Sequence, residues 1–166
     1  MGNIDISNCH VVVPISNPFL YASRYRLYDI FAEDIQRKGA KLWTVEVQTG
    51  RREHAITNKE NPQHLQLWSS GIPGSIWLKE NMLNLSIAHV VKNEPTARYI
   101  FWVDADVKFE AGIIERGVQA LQHYDFIQLF SHAIDYGPNG ETVQVQPGYI
   151  YCYENGIVPP GKGTYT

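Results

Sequence analysis

Unbroken or alternating apolar runs along the chain are separated by segments whose apolar residues recur every three or four positions. His10–Ile15 (His-Val-Val-Val-Pro-Ile) is β-branched and predicts a first, central strand, with Pro14, which has no N–H for a ladder, marking its end. Over Ser23–Lys38, Tyr25, Leu27, Tyr28, Phe31, Ala32 and Ile35 make a helical stripe. Arg37 and Lys38 suit the negative end of its dipole, and Gly39 supplies the C-cap. Lys41–Val47 predicts a second strand, so the strand–helix–strand order predicts parallel pairing. Gln48–Gln66 is polar and without period, in character a functional loop, and Leu65–Trp68 reads as a short strand. After a break at Gly71–Gly74, Ser75–Val91 predicts a helix built on Trp77, Met82, Leu83, Leu85, Ile87, Ala88 and Val91. Tyr99-Ile100-Phe101-Trp102-Val103 predicts a strand covered on both faces. Downstream, Gly112–His123 predicts a helix, Asp125–Phe130 a strand, Asp135–Gly140 a turn, Thr142–Gln146 a strand and Tyr149–Tyr153 an extended segment. Ile157–Thr166 is rich in Pro and Gly and reads as loop. The class is α/β, with a mostly parallel central sheet and helices on both faces, in a single domain over residues 1–166.

Chemistry gathers where the run Tyr99–Val103 ends, at Asp104-Ala105-Asp106. Open α/β sheets bind ligands beyond the carboxyl ends of their strands. In extended chain, residues i and i+2 point the same way, so both carboxylates reach one spot. Two hard oxygen donors suit Mg²⁺ or Mn²⁺, which complete their shells with water and phosphate oxygens. A cation-bridged diphosphate is the ligand this predicts; the alternative is two acids that end a strand as the chain returns to solvent. Lys79, near the start of the helix that feeds this strand, is either a diphosphate contact or a solvated lysine. Glu46, near the carboxyl edge of the second strand, is either an acceptor for a ribose or base edge or an exposed strand-end residue. Arg24 and Arg26 are likewise phosphate or base contacts, or part of a solvated face. Ser16-Asn17-Pro18 carries no glycine-rich fingerprint, which argues against a dinucleotide site or a P-loop.

Composition narrows the partners. The formal net charge is −3 and no basic block is present, which argues against nucleic acid. Cys9 and Cys152 have no ligand spacing and make no disulfide framework, so a cytoplasmic protein is expected. Met1–Asn8 is too short and polar for a signal peptide, and no apolar run approaches the ~20 residues needed to span a bilayer.

The ordered set of strand to Pro14, helix, strand to Glu46, Trp77-Leu78-Lys79-Glu80-Asn81-Met82-Leu83-Asn84 and Asp104-Ala105-Asp106 resembles the nucleotide-sugar half of GT-A glycosyltransferases. Trp-x-Lys-x-x-x-Leu-Asn is similar to the Phe-x-Arg-x-x-x-Leu-Asn element of β-1,4-galactosyltransferases. Ala120–Asp125 through Asp135–Asn139 resembles bacterial and phage glycosyltransferase-like proteins. The resemblance implies a GT-A, Rossmann-like fold and a metal-dependent, inverting transfer from a UDP-sugar to a hydroxyl acceptor. It implies Asp106 as principal metal ligand, Asp104 on the ribose and the metal, and Lys79 in place of the family arginine beside the donor. Pro14, Ile15 and Glu46 would line the nucleoside pocket, and Mn²⁺ or Mg²⁺ would stabilise the departing diphosphate. The family's catalytic base and metal-completing His follow an acceptor segment that has no counterpart after Gly161. The expectation is therefore the N-terminal part of a longer glycosyltransferase; the alternative is a donor-binding module or inactive fragment without acceptor site and base. A haloacid-dehalogenase-like phosphatase would carry its Asp-x-Asp after the first strand and a later Asp-Asp pair, and neither is found.

Overall fold

The computed structural model describes residues 4–69 and 79–158, and the chain divides into two compact units, Met1–Val118 and Gln119–Thr166. In the first unit, β1 (Cys9–Ser16), β2 (Lys41–Thr49), β3 (His64–Ser69) and β4 (Tyr99–Trp102) form one sheet in the order β3-β2-β1-β4. Every pair is parallel. α1 (Ala22–Lys38) connects β1 to β2, and α2 (Lys79–Asn93) precedes β4. The expected start of α2 at Ser75, with its Gly71–Gly74 break, lies outside the described residues. Gly39 ends α1 in the left-handed region (φ 84), its N–H on the Gln36 carbonyl, a conformation that strains any residue with a Cβ.

Register assigns the two faces. Val12 lies opposite Trp43, so the two share a face, and they pack with Leu83 and Val90 of α2. Val13 and Thr44 therefore point the other way, where the Tyr28 hydroxyl of α1 is 2.7 Å from Thr44 Oγ1. Helices thus cover both faces of the parallel sheet, as the pattern predicts. His10 is fully buried between these layers. Its Nδ1 accepts from Trp43 Nε1 at 3.0 Å, which leaves Nε2 to donate to Asn8 Oδ1 at 3.2 Å. Burial, with the Lys41 charge nearby, holds this imidazole below its ordinary pKa against an opposing pull from Glu94.

Two expectations for this unit need correction. β1 does not end at Pro14 but runs to Ser16, with Pro14 opposite Val45. The reason is geometric. Val12 turns its carbonyl toward β4, where it accepts from Val103 N–H at 3.1 Å, and Pro14, two residues on, faces the same side. β4 stops at Trp102, so no ladder partner waits for the N–H that proline lacks. Nor is β4 covered throughout: it has no further described neighbour beyond β1, and Trp102 is 43% exposed.

α3 (Ile113–Ala120) follows β4 and is shorter than the predicted Gly112–His123, closing in turns at Gln122 and His123. In the second unit, β5 (His132–Tyr136) and β6 (Thr142–Pro147) form an antiparallel hairpin, followed by α4 (Tyr149–Glu154). Asp125–Phe130 is not a strand. Its polar groups serve α4 instead, with Gln128 Oε1 accepting from Ile150 N–H at 3.1 Å. Tyr149–Tyr153 is helical rather than extended. Its alternating tyrosines imitate a strand, but the buried position is Cys152, whose N–H donates to the Gly148 carbonyl at 3.0 Å. Of the predicted C-terminal loop, only residues 157 and 158 are described.

Candidate functional site

The order β3-β2-β1-β4 has a topological consequence. From β1 the chain steps outward to β2 and β3, then returns to place β4 on the other side of β1. The connections thus diverge between β1 and β4, and crevices at such switch points, outside the carboxyl ends, are where open α/β sheets take ligands. The segments leaving the sheet here are Asn17–Tyr21 after β1 and Val103–Asp106 after β4.

Asp104 and Asp106 therefore sit at the edge the sequence assigns them. Val103 N–H holds the chain to β1 for one bond beyond β4, and the backbone then turns at residues 105 and 106. Asp104 is partly buried and Asp106 exposed. The described part of α2 reaches the same place: Lys79 Nζ lies 2.6 Å from Asp104 Oδ1. The carboxylate gives this lysine a close counter-charge. Both side chains remain reachable, with 28% and 38% exposure for Lys79 and Asp104. Asp106 makes no hydrogen bond or ion pair with a described residue.

These residues fit a hard cation as a partial site. Among the described residues there is no group of three or more His, Cys, Asp or Glu placed to hold a metal. A cation at Asp104 and Asp106 would draw its other ligands from water and phosphate, which is common for Mg²⁺ with one or two carboxylates.

The loop after β1, a turn by the chemistry of Ser16-Asn17-Pro18, is built by Asn17. Its buried side chain accepts from Tyr21 N–H and donates to the Tyr21 carbonyl, both at 2.9 Å, and Leu20 takes a left-handed φ of 57 inside this clamp. Phe19 and Tyr21 are left exposed at the sheet edge, ring centroids 5.8 Å apart. Arg52 Nη1 donates to the Pro18 carbonyl at 2.7 Å and ties in the loop after β2. Pro14 and Ile15 are buried beneath this edge, Ile15 opposite Glu46. Arg24 and Arg26 are exposed on α1.

Glu46 is neither exposed nor turned toward a ligand. It is 2% exposed and its carboxylate meets five donors. Oε1 accepts from Gln48 Nε2 at 3.0 Å and Ala55 N at 2.8 Å. Oε2 accepts from Ile56 N at 3.0 Å, Thr57 N at 2.8 Å and Thr57 Oγ1 at 2.8 Å. Burial alone would raise its pKa, but the combined hydrogen bonds from Thr57, Ala55 and Gln48 outweigh it and hold the carboxyl below its ordinary value. With its oxygens spent on residues 55–57, Glu46 is an anchor of the loop rather than a ribose ligand. The same loop is tied by Gln66 Nε2 to the Thr57 carbonyl and by Asn58 N–H to His64 Nδ1. Near the end of β3, Trp68 is half exposed, with the His54 ring edge-on at 4.4 Å and Lys59 Nζ 5.4 Å from its centroid.

A cavity of about 280 Å³ in the second unit is lined by Tyr149, Cys152, Tyr153, Gly156, Ile157 and Val158, without a charged side chain. No helix of the described residues is long and apolar enough to cross a membrane. Comparison with protein-family models, curated proteins and solved structures gives no match.

Proposed function

We propose that the chain is the nucleotide-sugar-binding part of a metal-dependent, GT-A-like glycosyltransferase, with a UDP-sugar donor and a hydroxyl acceptor. One observation supports the reading: at the switch point between β1 and β4, Lys79 Nζ lies 2.6 Å from Asp104 Oδ1, and Asp106 follows two residues on. A lone Asp-x-Asp at a strand end is weak evidence; one whose first acid meets a lysine from another element at a switch point is stronger.

In this reading Asp104 and Asp106 hold Mn²⁺ or Mg²⁺, which when bound neutralises the charge that develops on the departing diphosphate. Lys79 offers the diphosphate a further positive charge from the same edge. Phe19 and Tyr21 offer flat apolar faces for a base, and the Asn17 clamp fixes the loop that carries them. Pro14 and Ile15 form the floor below. Cys9 and Cys152, both buried free thiols, suit a reducing compartment such as the cytoplasm.

Replacing Asp106 by Ala tests the reading. The carboxylate is exposed and has no partner among the described residues, so its loss removes Mn²⁺-dependent UDP binding and leaves the melting temperature within about 2 °C, as surface substitutions outside special features do. Retained Mn²⁺-dependent binding in the variant contradicts the assignment.

A further inference from the structure

The Lys79–Asp104 pair raises a question of occupancy. Asp104 Oδ1 already holds an ammonium at 2.6 Å. A divalent cation on that oxygen would bring two positive charges into the space of one hydrogen bond. Lys79 and the cation are thus competitors when the cation comes alone. A diphosphate changes the outcome, because it supplies Lys79 with new anionic oxygens and the cation with new ligands. Asp106, exposed and without an ion pair among the described residues, can receive the cation in either case.

We infer that Lys79 is a positioning residue that couples the cation to the nucleotide: paired with Asp104 it disfavours the bare cation, and transferred to the diphosphate it admits the cation. The inference rests on the function proposed above and adds an order to it. Cation and nucleotide bind with positive cooperativity, and by linkage each raises the other's affinity by the same factor. The helix geometry makes the exchange short. Lys79 is the first described residue of α2 and carries a long flexible side chain, so its ammonium moves from one oxygen to another without backbone rearrangement.

The scale follows from the setting. Both partners are partly exposed, and pairs of this kind contribute little in water, which corresponds to a factor of about two to five in the competition. Lys79→Met removes the ammonium and keeps an apolar stem. Calorimetric titration of the full chain with Mn²⁺ alone is expected to show about two- to fivefold tighter binding in K79M than in the parent. The factor by which saturating Mn²⁺ raises UDP affinity is expected to fall by a similar amount. Lys79→Arg keeps the charge and is expected to retain the parent's weak Mn²⁺ binding and its coupling, which guards against a K79M effect arising from packing. Unchanged or weaker Mn²⁺ binding in K79M, in a protein whose parent shows Mn²⁺-dependent UDP binding, overturns the inference and leaves the proposed function standing. A parent chain that binds neither Mn²⁺ nor UDP overturns both.

Discussion

Glu46 is where the structure makes its most quantitative demand. Replacing it by Ala removes an acceptor from five donors at once. The five are not equal. Ala55 lies in an exposed position, so water takes over its N–H, and Ile56 is half-buried. Thr57 and Gln48 are 7% and 2% exposed, and their groups lose the only acceptor described for them. A buried polar group left unpaired costs about 1–3 kcal/mol. Allowing for water entering the space, Glu46→Ala should destabilise the protein by roughly 3–5 kcal/mol, a large share of a typical domain's 5–15 kcal/mol. Glu46→Gln should cost less. With its amide nitrogen in the place of Oε1, Gln48 rotates its own amide to accept, Ala55 N–H turns to water, and Oε2 keeps its three donors. What is lost is chiefly charge assistance, roughly 1–2 kcal/mol. Urea unfolding followed by tryptophan fluorescence measures both, since Trp43 is buried against α2. The effect depends on pH in a definite direction. The folded carboxyl sits below its ordinary value of 4.5, so the unfolded chain takes up the proton first as pH falls. The stabilisation is complete above 4.5 and is lost as pH drops through the lower folded value, so the gap between parent and Glu46→Gln narrows in acid. A cost below 1 kcal/mol for Glu46→Ala, or a gap that stays constant into acid, would refute this reasoning.

Two further outcomes follow from the core. His10 is buried neutral with its pKa held below 6.5, so the unfolded chain protonates first, and stability is complete above 6.5 and falls as pH drops from there toward the folded value. In His10→Gln, which keeps an acceptor for Trp43, the loss of stability between pH 7 and pH 5 should shrink; it should not vanish, because burial lowers His64 in the same direction. Tyr28 and Thr44 share a buried hydrogen bond, so Tyr28→Phe and Thr44→Val should each cost about 1–2 kcal/mol while the double variant costs less than their sum, as a double-mutant cycle would read.

Legibility in the sequence followed the strength of the period. β1, α1 and β2 come within two residues of their predicted limits because a β-branched run, a 3–4 stripe and a glycine C-cap each agree locally with the fold. The parallel pairing and two-sided cover followed from their order. The second unit was less legible because Tyr149, Tyr151 and Tyr153 alternate like a strand while a single buried residue, Cys152, defines the inner side of the helix. At the site, the position of Asp104 at the sheet edge and of Lys79 at the same edge were readable, since a helix that feeds a parallel strand begins at that strand's carboxyl end; their ion pair was not, because no local pattern announces it. The role of Glu46 was not, because its donors arrive nine to eleven residues later from a loop with no period. A trace existed: Thr44, Glu46 and Gln48 put a polar residue at every second position of an otherwise apolar strand, and all three are buried. Asn17 and the exposed Phe19–Tyr21 pair depend on a left-handed turn at Leu20 that no glycine announces.

The most direct measurement of the central claim is calorimetric titration of UDP into the chain with and without Mn²⁺. The account predicts saturable UDP binding that Mn²⁺ strengthens and a chelator reverses. UDP binding that is absent in both conditions, or identical in both, would contradict a cation-bridged diphosphate at Asp104 and Asp106.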